Sequence, residues 1–290
     1  GLLPAASLSN VGIYGTGQAY EALLLRMRSH PLPESRYYAD LMLRELRKVI
    51  PSFLERVDRE DRGVVWSEYL QETREDTADV VAALFPEGSI VDPSPTVRLV
   101  DFDPEGEVKM IASMMYPHST MSEDQLERRV AGMNHEDRMA VARAYVGDRR
   151  NRRHKPGRAL ERPFYRFDVL VDYGAFRDLQ RHRMLSMDWQ NLSPHHGYIS
   201  SPLVNAAGMG PVYEEAMERS AALYDLLVDD FPDQASYAIN LAYKIRFNMN
   251  INARSAMHLI ELRTTPQGHP SYREVGQEMH RLIAEEAGHT

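Results

Sequence analysis

The segment from residue 165 to residue 172 constrains the fold most, because its side chains alternate between apolar and polar types. Tyr165, Phe167, Val169 and Val171 are the apolar members of the alternation. A β-strand points successive side chains to opposite faces of a sheet. The pattern therefore predicts a strand with one buried face.

Helical spacing of apolar residues predicts helices in much of the remaining chain. The predicted helices cover residues 23–27, 37–50, 65–84, 105–115, 123–146 with a break near Asn134, 175–185, 211–228, 234–244 and 272–286. A second short strand is predicted at residues 97–101, and a polar loop at 191–198. Residues 250–262 form an element whose type the pattern leaves open.

Turn-forming residues divide the chain between residues 86 and 95. Proline and glycine are concentrated in this stretch, and such clusters mark connections between structural elements. We therefore predict a boundary between a helical segment at residues 1–92 and a domain at residues 97–290.

A short internal repeat is visible near the start of the chain. Arg28-x-x-Pro31-x-x-x-x-x-Tyr37 echoes Arg263-x-x-Pro266-x-x-x-x-x-Tyr272, and each copy is followed by a helix. Three matched positions are also compatible with chance. If the repeat is real, residues 1–92 contain the tail of a first, degenerate copy. The start at Gly1 without a methionine fits that interpretation, and we expect further sequence upstream.

The composition is typical of a soluble globular protein, with 43% hydrophobic and 26% charged residues. No apolar run reaches the roughly 18 residues that a membrane span requires, and the first residues lack the basic region of a secretory signal. The chain has no cysteine, which removes disulfides, thiolate metal sites and cysteine nucleophiles. We expect a cytoplasmic protein that does not contact a membrane.

Basic residues are concentrated in one part of an otherwise acidic chain. The formal net charge is −8, which argues against a general nucleic-acid binder. The concentrated set is Arg149, Arg150, Arg152, Arg153, His154, Lys155, Arg158, Arg162, Arg166, Arg177, Arg181, His182 and Arg183. This segment suits a small phosphorylated ligand, although a solvated face or salt bridges between subunits would explain it equally well.

The first candidate for chemistry is Arg181-His182-Arg183-Met184-Leu185-Ser186, at the end of the helix predicted over 175–185. Adjacent side chains on a helix point about 100° apart, so the first three can surround a ligand more readily than they can share one ion pair. Guanidinium groups suit phosphate and carboxylate oxygens, and histidine adds a ring face and a ring donor.

The second candidate is Asn252-x-Arg254-x-x-x-His258, with Arg263 further along the chain. These polar residues stand among apolar ones, and a buried arginine without a partner is costly. The partner could be a bound ligand or a carboxylate such as Glu261, and the sequence leaves both interpretations open.

Together the two clusters resemble the signature of flavin-dependent thymidylate synthases. That family carries R-H-R-x-x-S and, further on, N-x-R-x-x-x-H/N followed by an arginine ahead of a histidine-containing turn. Here the two motifs stand in the same order about seventy residues apart, after a predicted strand, and Arg263 precedes His269. The resemblance covers roughly residues 97–290.

The resemblance implies an α+β fold with a central, mostly antiparallel sheet flanked by helices, here with an additional helical N-terminal segment. It implies FAD-dependent methylation of the nucleotide dUMP to dTMP, with methylene-tetrahydrofolate and NADPH as co-substrates. It also implies a homo-oligomer with sites at subunit interfaces. In a duplicated long form, this chain would be the C-terminal part.

Carried over residue by residue, the resemblance assigns candidate roles. The cofactor-binding residues would be Arg181, His182, Arg183, Ser186, Asn252, Arg254 and His258. Arg263 would be the catalytic residue, because it would reach the uracil and polarise it. The substrate-binding residues would be Arg181, Ser193, Tyr198 and Arg263.

The nucleotide loop departs from the family pattern. The family continues as N-x-x-S-x-R-Y after the motif serine, whereas residues 188–194 lack an Arg-Tyr pair, and Ser193 and Tyr198 are the nearest substitutes. In the family this loop holds the phosphate and ribose of the nucleotide. A non-catalytic or altered-specificity homologue that binds flavin or nucleotide is therefore the alternative.

A helical interaction protein is a third candidate, with the basic residues of 149–166 gripping an acidic partner or RNA. No aromatic stacking platform accompanies those charges, so binding to nucleic acid is not expected. No metal site is predicted either, because His154, His195 and His196 match no usual zinc spacing.

Overall fold

The computed structural model describes residues 1–85 and 95–289, which form two compact units. The first comprises Gly1–Ala6, Pro93–Asp225 and Ser236–Thr290, and the second comprises Ser7–Asp92 and Leu226–Ala235. The connector predicted from the sequence lies almost entirely outside the described residues. Each unit is described by itself below.

The second unit contains three helices, α1 (Gly17–Arg28), α2 (Pro33–Leu46) and α3 (Val65–Leu84). Pro33 occupies the first turn of α2, where its missing N–H costs nothing. The helix therefore begins before the predicted residue 37 and ends before residue 50. The core of this unit consists of Leu24, Ala39, Leu43, Leu54 and Val57, all buried.

The first unit is organised around a four-stranded sheet. Its strands are β1 (Val97–Phe102), β2 (Phe164–Asp172), β3 (Leu185–Trp189) and β4 (Lys244–Asn252). Their order across the sheet is β1-β2-β4-β3, and each neighbouring pair is antiparallel. The predicted alternation of residues 165–172 is therefore confirmed as a central strand, and 97–101 as an edge strand.

The apolar face of the sheet carries the main core of the unit. In the register of β2 against β4, Phe167 lies opposite Met249 and Val169 lies opposite Phe247, and all four side chains are buried. The helices that cover this face contribute Phe176, Leu179, Ala256, Leu259, Val275, Met279 and Leu282.

The helices that lie wholly or mainly in the first unit follow in chain order. They are α4 (Gly106–Met115), α5 (Glu123–Ala131), α6 (His135–Val146), α7 (Tyr173–Leu179), α8 (Pro202–Ala206), α9 (Gly210–Val228), α10 (Ala253–Arg263) and α11 (Pro270–Glu285). Asn134 separates α5 from α6 as predicted, because its side chain accepts the Asp137 N–H at 2.8 Å and caps α6. The expected α+β fold class is confirmed.

The helix predicted over residues 234–244 is wrong. The structure has a short 3₁₀ turn at Ala235–Ala238, and β4 begins at Lys244. Ile245, Phe247, Met249 and Ile251 alternate with polar residues, so the strand pattern was present in the sequence. Residues 250–262, left open above, are the end of β4 and most of α10.

The helix predicted over residues 175–185 is also wrong in its second half. Asp172 starts α7 by accepting the Ala175 N–H at 2.9 Å, and the helix ends at Leu179. Residues 185–189 pair with β4 instead, because tertiary pairing outweighs the modest local helix preference. Arg181, His182 and Arg183 therefore lie in the turn between α7 and β3, and Arg177 and Arg181 do not share a helix.

Among the helices that the structure describes, none is both long and apolar enough to cross a membrane.

Candidate functional site

A cavity of about 360 Å³ opens in the first unit between the turn after α7, the helix α10 and the segment at residues 149–156. Six of the sequence-predicted site residues line it: Arg181, His182, Arg183, Arg254, His258 and Arg263. The two motifs, separated in sequence by about seventy residues, therefore meet at one place.

The strand β4 fixes the direction of α10. The strand ends at Asn252, whose side-chain oxygen accepts the Ser255 N–H at 2.9 Å and caps the helix that starts at the next residue. Arg254 and His258 are four residues apart and so lie on the same face of the helix. That face lines the cavity.

Arg263 is held by two neighbours in the turn region. Its Nη1 donates to the Asp178 carboxylate at 3.1 Å, its Nη2 donates to the Asp178 backbone oxygen, and its Nε donates to His182 Nε2 at 3.1 Å. The guanidinium carbon also lies 5.3 Å from the centroid of the Tyr272 ring. The side chain is only 13% exposed, so its orientation is tightly defined.

His182 is electrically neutral in this setting. Burial, together with the positive charge of Arg263 and the neighbouring His258, lowers the pKa of its imidazole to about 4, while Asp178 acts in the opposite direction. The hydrogen bond from Arg263 agrees with this state, because Nε2 can accept a hydrogen bond only when it carries no proton.

His258 lies next to His182 in the cavity lining, with ring centroids 5.8 Å apart in an edge-to-face arrangement. Burial lowers the pKa of the His258 imidazole, and the positive charges of Lys155 and Arg152 act in the same direction. Two uncharged rings therefore stand among several permanent cations.

Two of those cations are neutralised by carboxylates. Arg254 Nη1 donates to Glu161 at 2.8 Å, and its Nε donates to the Pro156 backbone oxygen at 2.9 Å. Arg149 forms a bidentate pair with Glu261 at 2.7 and 3.0 Å. The carboxylate interpretation of the second cluster thus holds for Arg254 and Arg263, but their partners are Glu161 and Asp178 rather than Glu261.

Four predicted residues lie outside the cavity lining. Ser186 is exposed on β3, and Asn252 is occupied as the helix cap. Ser193 is buried, and its hydroxyl accepts the His195 N–H at 3.4 Å. Tyr198 packs edge-on against Tyr243 with centroids 5.7 Å apart. Their assignment to cofactor or substrate stays a prediction.

Sequence reasoning missed several residues of the site. Asp178 and Glu161 orient its arginines, and Arg149, Arg152 and Lys155 line it from the segment before β2. The cations were visible as part of the basic run. The carboxylates carried no signal, because each is paired with an arginine more than eighty residues away in sequence.

The rest of the basic run is partly neutralised on the surface. Arg162 pairs with Glu123, and Arg158 pairs with Glu161 at 3.0 Å. Within the described residues, no group of three or more His, Asp or Glu side chains is arranged to hold a metal ion.

The sequence profile of the family described as thymidylate synthase complementing protein matches residues 98–287. The chain belongs to that family. The matched range contains the sheet, α10, α11 and all the residues that line the cavity. The resemblance inferred from the two motifs is thereby confirmed at the level of the family.

Curated relatives share the sequence over nearly its whole length. The chain is 39% identical over 285 residues to a UPF0159 protein of Chlamydia pneumoniae, covering 98% of this chain and 53% of that protein. It is 36% identical over 286 residues to a UPF0159 protein of Chlamydia muridarum, with 98% and 54% coverage. The chain thus spans about half the length of these relatives.

A solved structure shares the fold of the family domain. It is the UMP/dUMP methylase PolB from Streptomyces cacaoi bound with 5-Br dUMP, with a TM-score of 0.50 and 19% identity. The alignment covers 66% of this chain and 90% of PolB. This likeness supports the fold assigned above.

Proposed function

We propose that this chain carries the site of a flavin-dependent thymidylate synthase, which methylates dUMP to dTMP with FAD, methylene-tetrahydrofolate and NADPH. The observation that carries the proposal is the convergence of the two motifs and Arg263 on one cavity. Family membership supports it, and PolB, which shares the fold, is a UMP/dUMP methylase. We place the enzyme in the cytoplasm as a homo-oligomer.

The residues of the cavity fit a flavin nucleotide. Its volume of about 360 Å³ lies within the range of roughly 300–1,000 Å³ found for small-molecule sites. The uncharged rings of His182 and His258 offer flat faces to an aromatic ring, and the guanidinium groups offer donors to phosphate oxygens. Bound FAD would supply the redox chemistry that the amino-acid side chains lack.

Arg263 is the residue best placed to polarise a uracil carbonyl. A guanidinium has five N–H donors, and Asp178 and His182 occupy three of them in the described structure. Two donors remain for a ligand. A fixed cation beside a carbonyl oxygen stabilises negative charge that develops there, and because Asp178 holds it in place, little reorganisation is needed.

A visible absorption spectrum of the purified protein, with and without dUMP, tests the proposal. We expect flavin absorbance that shifts when dUMP is added, and tritium release from dUMP labelled at C5 when the folate and NADPH are present. Protein that stays colourless after incubation with FAD would contradict the proposal.

The role of Arg263 is tested by two matched substitutions. Arg263→Gln should abolish tritium release, whereas Arg281→Gln should not, because Arg281 lies on α11 outside the cavity and pairs with Glu278 and Glu285. Equal activity of the two variants would rule out the catalytic role of Arg263.

One observation favours the alternative of a non-catalytic or altered-specificity homologue. Ser193 and Tyr198, the nearest substitutes for the family's nucleotide loop, do not line the cavity. Flavin-containing protein that releases no tritium from dUMP would support that alternative.

A further inference from the structure

The cavity has a cationic wall that lies outside the family motifs. Arg152 and Lys155 line it from the segment at residues 149–156, which precedes β2. Both side chains are exposed, and among the residues that the structure describes neither pairs with a carboxylate. Their charges are therefore available to a ligand.

The other cations of the cavity are less available. Arg149 is paired with Glu261, Arg254 with Glu161, and Arg263 with Asp178. The same Asp178 also lies 3.7 Å from Arg181. An anion that enters the cavity therefore meets positive charge that is uncompensated mainly at Arg152, Lys155 and Arg183.

The segment that carries Arg152 and Lys155 is fixed against α10 at two points. The pair between Arg149 and Glu261 holds its beginning, and the hydrogen bond from Arg254 to the Pro156 oxygen holds its end. Between these points the Arg149 side chain donates to the His154 oxygen at 2.6 Å. These contacts form a brace between α10 and the loop at residues 149–156. The brace holds in place the loop that carries Arg152 and Lys155.

Gly157 lets the loop pass close to α6 at the point where the loop ends. A Cβ atom on Gly157 would lie 2.1 Å from the Tyr145 hydroxyl oxygen, and that hydroxyl accepts the Ala159 N–H at 3.1 Å. Any larger residue at this position would push the loop away from α6. The close approach adds a third fixed point.

From this arrangement we infer that Arg152 and Lys155 form a phosphate-binding subsite of the cavity. The subsite supplies cations in a chain whose nucleotide loop lacks the Arg-Tyr pair of the family. Both residues line the same cavity as His258, and after burial their positive charges are the next causes that lower the pKa of its imidazole. The inference rests on the proposed function only for the identity of the ligand, either the FAD diphosphate or the dUMP monophosphate.

The first test uses inorganic pyrophosphate as the probe and compares three forms of the chain by calorimetric titration. Charge-assisted hydrogen bonds are strong, so Arg152→Gln/Lys155→Gln should weaken binding by at least about tenfold relative to wild type. Arg150→Gln/Arg153→Gln removes the same charge from the same segment but lies outside the cavity lining, and should change binding less than about twofold. Equal weakening in both variants, or no binding to wild type, would overturn the inference.

A second test identifies the ligand by comparing FAD with riboflavin and dUMP with deoxyuridine. A loss in the Arg152→Gln/Lys155→Gln variant confined to FAD assigns the subsite to the cofactor, and a loss confined to dUMP assigns it to the substrate. If the wild-type protein binds pyrophosphate selectively but binds neither FAD nor dUMP, the result contradicts the proposed function but not the subsite. If the wild-type protein binds FAD or dUMP and the variant binds it equally well, the result contradicts only the subsite.

Discussion

Asp178 and Glu161 hold the two arginines of the second motif region in place. Each carboxylate holds one motif arginine, Arg263 or Arg254, at hydrogen-bonding distance. Arg263 in turn fixes the tautomer of His182, because its Nε donates to the ring nitrogen. The protonation state of one imidazole thus depends on a network that begins at a carboxylate.

His182 should make the stability of the protein depend on pH. Its pKa is lowered to about 4 in the folded protein, whereas an unfolded histidine titrates near about 6.5. The unfolded state therefore binds the proton first as the pH falls, and the stabilisation present above pH 6.5 is lost progressively towards pH 4. Urea unfolding should show a smaller loss between pH 7 and pH 4.5 in His182→Gln than in wild type.

An NMR titration of the histidine ring protons provides the direct check. The signals of His182 should move only near pH 4, whereas an unperturbed histidine titrates near about 6.5. A midpoint for His182 near this unperturbed value would contradict its neutral state.

At the scale of single residues, the motif cations were predictable from the sequence and their partners were not. Arg181, Arg254 and Arg263 belong to short sequence patterns, which can be found without knowing the fold. Asp178 and Glu161 acquire their roles only when distant segments pack together, so no local pattern marks them. Tyr198 lies outside the cavity lining and packs against Tyr243, so its assignment to the substrate stays a prediction.

The strands β2 and β4 position the whole site, and the local sequence predicts β2 better than β4. The strand β2 has aromatic and β-branched residues in strict alternation, which favours a strand. In β4 the alternating polar positions include three asparagines, which are uncommon in strands; residues 245–249 had no predicted element, and 250–252 belonged to the element whose type the pattern leaves open. The short strand β3 depends on its pairing with β4, which local sequence does not encode.

Truncation of Phe247 at the centre of β4 should strongly destabilise the protein. The ring is 1% exposed and packs against Phe176 with centroids 5.0 Å apart. Phe247→Ala should lower the free energy of unfolding by about 3–5 kcal/mol in urea denaturation, because a cavity replaces the ring. Asn250→Ala on the exposed side of the same strand should change it by less than about 0.5 kcal/mol. Similar losses in both variants would show that Phe247 is not part of the core.

The brace between the loop and α10 should be measurable as a coupling energy. The Arg149–Glu261 pair is bidentate and partly buried, and Glu261 raises the pKa of the Arg149 guanidinium. A double-mutant cycle with Arg149→Gln and Glu261→Gln should give a coupling of about 1 kcal/mol in unfolding experiments. The exposed pair Arg128–Asp124 on α5 should give about 0.3–0.5 kcal/mol. A coupling energy for Arg149–Glu261 below that of this surface pair would contradict the role of Arg149–Glu261 in holding the loop.

At the scale of the whole molecule, a positive cavity exists in a protein of net charge −8. The carboxylates that compensate the basic run act locally, and they leave the cavity as a positive region within an acidic surface. The positive electrostatic field of the cavity accelerates the encounter with an anionic ligand, and salt weakens this field. The composition predicted an acidic protein with a basic segment, but only the fold shows that the segment faces a cavity.

If the cavity binds FAD as proposed, salt should slow that binding more than the binding of riboflavin. Raising the KCl concentration from about 0.05 to about 0.5 M shortens the screening length to a few ångströms and should reduce the association rate of FAD by about tenfold. Stopped-flow fluorescence of the two flavins provides the measurement, with riboflavin as the uncharged control. The same salt effect on both flavins would show that the field of the cavity plays no part.

The double role of Asn252, as the last residue of β4 and the cap of α10, has a consequence for insertions and deletions. A helix turns by about 100° per residue, and a strand reverses its faces at each step. With no loop between the two elements, one extra residue near Ile251 would either bury the polar face of the strand or rotate α10, and with it Arg263, away from Asp178 and His182. The number of residues from Met249 to His258 must therefore be the same in every relative that keeps a working cavity, even where the side chains between them differ.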